Sequence, residues 1–193
     1  MRRPAPFVVA LLAVAACSSP REAPNNEPSA ELPSGAASPA AAEASGSTAD
    51  AVDSLLSTPL TDVRTGESFT LAELAADEPV IVETMAIWCS NCRAQQQEVA
   101  HAHGMADFES VSIDVDPNER PDDLAQYAER EGFDWRFAVA DAALAIELRE
   151  RFSPAVLNPP SMPKLVVYPD GTIEPLEFGR LLSAEELARI VTE

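Results

Sequence analysis

The stretch VIVETMAIW, residues 80–88, constrains the fold more than any other part of the chain. It is β-branched and mostly apolar, so it reads as a strand buried on both faces, at the centre of a sheet with helices above and below. The neighbouring segments can supply those layers. PLTDVRTGESFTL reads as a hairpin turning at Thr65-Gly66, and LAELAA as a short helix closed by Pro79. VSIDVD and WRFAVA are further strands, and PDDLAQYAEREG is a helix punctuated by proline and glycine. DAALAIELRERF is a helix with Asp141 as N-cap and Leu144, Ile146 and Leu148 as its apolar residues. KLVVYPDGTIEPLEF is a hairpin turning at Pro169-Asp170-Gly171, and SAEELARIV is a helix opened by a Ser183/Glu186 capping box. Strands alternating with helices, then a hairpin and a final helix, give an α/β three-layer sandwich around a central mixed β-sheet.

Length allows one ordinary domain with appendages. The formal charge of −19 argues against nucleic acid or an anionic membrane surface as a partner. Residues 1–16 read as an export signal, with Arg2 and Arg3 ahead of FVVALLAVAA, an apolar run too short to span a bilayer comfortably. VAAC then ends in Cys17 and resembles a bacterial lipobox, in which the cysteine is lipidated and becomes the new N-terminus. The alternative is soluble secretion with cleavage after residues 13–15 and a free thiol at Cys17. Residues 17–51 hold one sizeable aliphatic up to residue 50, Leu32, and cannot bury enough apolar surface to order themselves. They read as a linker that would reach on the order of 30 Å from a lipid anchor. Removing the signal leaves 11 basic and 32 acidic residues, a formal −21. The folded domain is expected over residues 52–193.

At the end of the central strand the chain reads WCSNCRAQQQ, where extended sequence gives way to helix-compatible sequence. If the helix begins at Cys89, that sulfur lies near unsatisfied amides and the positive end of the helix dipole, which favour thiolate. Cys89 is then the nucleophile. Cys92, one turn on and expected to be less exposed, is placed to attack a mixed disulfide at Cys89 and release a reduced partner. A purely structural bridge is the first alternative, but so tight a loop restrains little chain entropy. Half of a zinc site is the second, and its further ligands could come only from His101 and His103, two apart on a helix and pointing to different sides.

These residues resemble the thioredoxin superfamily, and within it the membrane-tethered, exported TlpA-like thiol-disulfide oxidoreductases. The resemblance covers roughly residues 55–193 and is carried by WCSNC, by FTLAEL upstream and by SMPKLVVYPDG downstream. It implies a thioredoxin-like sandwich without cofactor or resident metal, Cys89 attacking and Cys92 resolving, and Trp88 shielding the pair. It also implies a cis bond before Pro163, facing the disulfide, with Ser161 and Met162 offering backbone hydrogen bonds to a substrate chain. A trans Pro163 is the alternative, since about one X-Pro bond in twenty is cis in folded proteins. Glu83 matches a buried acid beneath the active site; desolvation would raise its pKa and let it take the proton of Cys92. The alternative places Glu83 at a polar edge. The chain departs from the family in RAQQQEVA, where relatives carry a helix-kinking proline, in its Ser90-Asn91 dipeptide, and in the long loop SPAVLNPPSM.

Three functions follow. The leading one is an exported, lipid-anchored enzyme that reduces or exchanges disulfides of exported proteins and draws electrons from a membrane or soluble donor. A Sco-like copper carrier would use the same cysteines with a histidine late in the domain, but none follows His103. A noncatalytic adaptor would have no need of the cysteine pair. The lipobox-like junction predicts that Cys17→Ser abolishes membrane association of the exported chain; a variant that still fractionates with membranes as the parent does removes the anchor.

Overall fold

The computed structural model describes residues 53–193; the export signal, Cys17 and the linker expected from the sequence lie outside them. Asp53 caps helix α1 (Ser54–Ser57), which leads into the antiparallel hairpin β1 (Leu60–Thr61) and β2 (Ser68–Phe69). Gly66 takes φ 74° in its turn, a conformation open to glycine because it lacks a Cβ. Thr70 and Glu73 form a capping box on α2 (Leu71–Leu74). The main sheet comprises β3 (Val80–Met85), β4 (Glu109–Asp114), β5 (Arg136–Val139), β6 (Lys164–Val167) and β7 (Ile173–Pro175), ordered β5-β4-β3-β6-β7. β3 pairs in parallel with β4 and antiparallel with β6, so the sheet is mixed, as the sequence indicated. The flanking helices are α3 (Ser90–Ala102), α4 (Pro121–Glu131), α5 (Ala142–Phe152) and α6 (Ala184–Thr192).

Two hydrophobic clusters sandwich the sheet. Ile81 and Met85 pack with Val99, Leu124, Tyr127, Leu187 and Val191 of α3, α4 and α6. Val80 and Val82 pack with Leu55, Leu144 and Leu148 of α1 and α5. Because alternate strand residues face opposite sides, Glu83 shares the face of Ile81 and Met85, which is also that of Cys89 and Cys92.

One expectation is corrected. β3 stops at Met85 rather than Trp88, because Cys89 N–H donates to the Ala86 carbonyl (3.0 Å) and turns the chain toward α3. Ile146 is 48% exposed while Leu144 and Leu148 are buried, since a residue two positions from each lies on the opposite side of α5. The loop after α5 is wound into two 3₁₀ turns, Pro154–Leu157 and Pro159–Ser161.

Buried amides fasten α3 to its surroundings. Gln96 Nε2 donates to Ser112 Oγ (3.1 Å) and its Oε1 accepts from Tyr127 O–H (2.5 Å), while Ser112 Oγ also accepts from Trp135 Nε1 (3.0 Å). Gln95 exchanges two hydrogen bonds with the Leu182 backbone, joining α3 to the approach to α6. Such a network is rigid when complete and costly when one partner is lost. Tyr127→Phe, which orphans Gln96 Oε1, is expected to lower urea-unfolding stability by about 1–3 kcal/mol. Loss of stability well below that would show that Gln96 finds another partner.

Candidate active site

Cys89 is the N-cap of α3 and Cys92 lies in its first turn; the two are joined as a disulfide, with Cα atoms 5.3 Å apart. The cap is made by sulfur, Cys92 N–H donating to Cys89 Sγ at 3.1 Å. In the reduced protein the same bond, at the positive end of the helix dipole, favours a Cys89 thiolate. Exposure does not separate the two sulfurs as expected from sequence, for Cys89 is 3% and Cys92 4% exposed. What differs is their partners: Cys92 Sγ lies 3.2 Å from the Pro159 carbonyl oxygen.

Trp88 is 60% exposed, and its indole N–H donates to Asp116 Oδ2 (2.7 Å). Asp116 N–H in turn donates to Asp114 Oδ1 (2.9 Å), and Glu119 Oε2 accepts from Ile87 N–H (2.8 Å), so acids after β4 brace the turn that presents the cysteines. Asp114 is fully buried, and burial together with the neighbouring Glu119 raises its pKa to about 7.

Glu83 is buried on the cysteine face of β3 and not at a polar edge. Desolvation raises its pKa to about 8, against the opposing pull of Lys164, its register partner on β6. Lys164 is itself fully buried, and burial lowers its pKa to about 8. Its Nζ donates to the carbonyls of Met162 (2.7 Å) and Arg180 (3.1 Å).

Pro163 stands beside β3, its carbonyl accepting from Thr84 N–H (3.3 Å). No cis peptide occurs among the described residues, so the expected cis bond before Pro163 is trans. Met162 makes the turn instead, at φ 48°. A non-glycine residue held there costs about 1–3 kcal/mol and persists only when its surroundings over-determine it. They do so here: Met162 N–H donates to Pro159 O (2.8 Å), its carbonyl accepts from Lys164, and Gly179 N–H binds the Ser161 carbonyl (2.5 Å). Ser161 N–H donates to Asn158 O (2.9 Å), so in this conformation the backbone groups of Ser161 and Met162 are all engaged within the chain.

Neither histidine joins the cysteines. His103 stacks on Phe108 (4.1 Å between ring centroids) with Nε2 2.9 Å from Ser110 Oγ, and burial lowers its pKa; His101 is exposed near the other end of α3. Among the described residues no group of three histidine, cysteine or acidic side chains is arranged to hold a metal ion.

No protein-family profile matches the sequence, and no curated protein does. Solved structures do. A secreted disulfide oxidoreductase of Mycobacterium tuberculosis, homologous to E. coli DsbE, matches with a TM-score of 0.55 at 18% identity over 72% of this chain and 98% of that one. The thioredoxin domain of a Bacteroides vulgatus thiol-disulfide oxidoreductase matches at 0.53 and 17%, over 70% and 90%. The chain has the thioredoxin fold. A SCO1/SenC family lipoprotein from Bacillus anthracis is similar at 0.54 and 16%, over 70% and 90%.

On this thioredoxin fold, Cys89 and Cys92 open α3 after β3, the strand that carries Glu83, and Pro163 precedes β6 with its carbonyl bonded to Thr84 of β3. Two residues there were missed from sequence. Lys164 is the one lysine of the chain and opens an otherwise apolar strand, a signal that was available. Asp114, an acid within VSIDVD, was another.

These burials predict a pH dependence. Glu83 and Asp114 keep their protons in the folded chain to higher pH than when unfolded, so their contribution to stability is full below the ordinary carboxylate pKa and lost as pH rises to 7–8. Lys164 acts in the next window, its contribution present above its ordinary pKa and lost as pH falls to about 8. Urea midpoints are therefore expected to fall from pH 5 to pH 8, and Glu83→Gln or Asp114→Asn to flatten that fall, a tenfold difference in proton affinity between folded and unfolded chain being worth about 1.4 kcal/mol. A flat wild-type profile would mean that these acids are not buried as protonated groups.

Proposed function

We propose that the protein is an exported, TlpA-like thiol-disulfide oxidoreductase that reduces or exchanges disulfides of extracytoplasmic proteins. The observation that carries this reading is the pair at the start of α3: Cys89 caps the helix with its sulfur and receives the Cys92 amide, while Cys92 faces a carbonyl. No helix among the described residues is long and apolar enough to cross a membrane. Membrane attachment would come from lipid on Cys17.

In the reducing direction the Cys89 thiolate attacks a partner disulfide, forming a mixed disulfide and expelling one partner thiolate. Cys92 then loses its proton to Glu83 in its ionised form, which the buried carboxyl reaches as pH approaches about 8, and attacks the Cys89 sulfur. The Cys89–Cys92 bond closes, the second partner thiolate leaves, and two electrons have passed to the partner. A dithiol donor restores the pair by the reverse exchange. Trp88, exposed and fixed by Asp116, offers the partner an aromatic contact beside the nucleophile. Pro163, Met162 and Ser161 border the same site; backbone pairing with a substrate there would require Ser161 and Met162 to give up their present hydrogen bonds.

Trapping tests the reading. Cys92→Ser in the exported full chain should accumulate mixed disulfides with several proteins bearing exposed cysteines, whereas Cys89→Ser should capture few or none. Equal capture by the two variants would reverse or cancel the nucleophile assignment. No capture by either, together with tight copper binding by the wild-type pair, would replace this reading with the copper-carrier one.

A further inference from the structure

The 3₁₀ turn Pro159–Ser161 lies directly against α3. Pro159 O is 3.2 Å from Cys92 Sγ, and Pro160 O accepts from Asn91 Nδ2 at 3.1 Å. The segment begins and ends with non-glycine residues in left-handed conformations, Ser153 (φ 81°) and Met162 (φ 48°), so it is held in place by ties to the rest of the fold rather than by its own preferences. Thr84 Oγ1 holds Val156 O (2.5 Å) and Gly179 N–H holds Ser161 O. Asn91 supplies the side-chain tie from the active-site helix itself, one residue before the sulfur.

When the disulfide takes up two electrons and two protons from a partner dithiol, one proton arrives on Cys92. That S–H then has a carbonyl acceptor already at hydrogen-bonding distance. A hydrogen bond donated by the thiol stabilises its neutral form, the reverse of what the Cys92 amide does for Cys89. Two sulfurs of equal burial are thereby given opposite protonation preferences.

We propose that Asn91 is a positioning residue: by fixing the Pro160 carbonyl it holds the Pro159 carbonyl against Cys92 and keeps the resolving thiol protonated until the mixed disulfide has formed. This assigns a task to the dipeptide between the cysteines, and it rests on the thiol-disulfide reading above. The Asn91 side chain acts through the turn and does not touch the reacting atoms.

The test needs no protein partner, so its outcome is independent of the trapping experiment. In the full chain carrying Cys89→Ser, the rate of Cys92 alkylation by iodoacetamide is measured across pH, with the Cys92 peptide followed by mass spectrometry so that Cys17 does not interfere. Adding Asn91→Ala is expected to move the midpoint of the profile down by about half a pH unit to one, the size of one modest hydrogen bond. Asn91→Gln, which keeps the amide donor, should restore most of the shift, and Asn91→Ser serves if the alanine variant folds poorly. Hydrogen exchange at Met162 and Gly179 should quicken in Asn91→Ala. An unmoved midpoint overturns the proposal. So does a raised plateau rate at the same midpoint, because that reports access to the sulfur rather than its protonation.

Discussion

Strand β3 is hydrogen-bonded along both edges and covered on both faces, and most of the site follows from that double burial. A strand so placed has no room for a water-facing side chain, so whatever occupies position 83 is desolvated. The chain leaving its end must turn at once into a helix, since the cluster of Ile81 and Met85 needs α3 above it. The helix N-terminus, with its unpaired amides, is thereby carried to the end of the sheet, and the first side chain able to cap it is a cysteine.

The same exclusion of water sets the acid-base character of the site. Glu83 and Lys164 face each other across a β3–β6 pair with neither at its ordinary pKa, and burial outweighs their mutual attraction for both. A carboxyl whose pKa is raised toward that of a thiol is, once ionised, a stronger base toward that thiol than an exposed glutamate. Lys164 adds a mechanical role, clamping the Met162 carbonyl and so stabilising a left-handed residue beside Pro163. The charge state of Glu83 and the shape of the turn before β6 are linked through one ammonium group.

Local rules read well along this chain wherever the deciding interaction is local. The capping box at Ser183/Glu186, the Asp141 cap, the glycine that ends α4, and the hairpin turns all depend on residues within a few positions of one another. The mixed sheet followed from the order of strands and helices. Misreadings cluster where distant parts meet. Cys92 was expected to be less exposed than Cys89, yet the folded chain buries both. Pro163 matches a cis proline, but Met162 can turn the chain because Lys164, Pro159 and Gly179 with Ser161 hold the segment.

The sequence by itself determined the α/β layering, the start of a helix at the cysteine pair, and the burial of an acid six residues before Cys89, because hydrophobic periodicity, capping and spacing are short-range properties. Only the tertiary structure decided what each reactive group faces. Pro159 reaches Cys92 from 67 positions away, and Lys164 lies opposite Glu83 through strand register. Protonation preferences of buried groups depend on the nearest donor, acceptor or charge in space, and in a folded chain that neighbour is rarely the nearest in sequence.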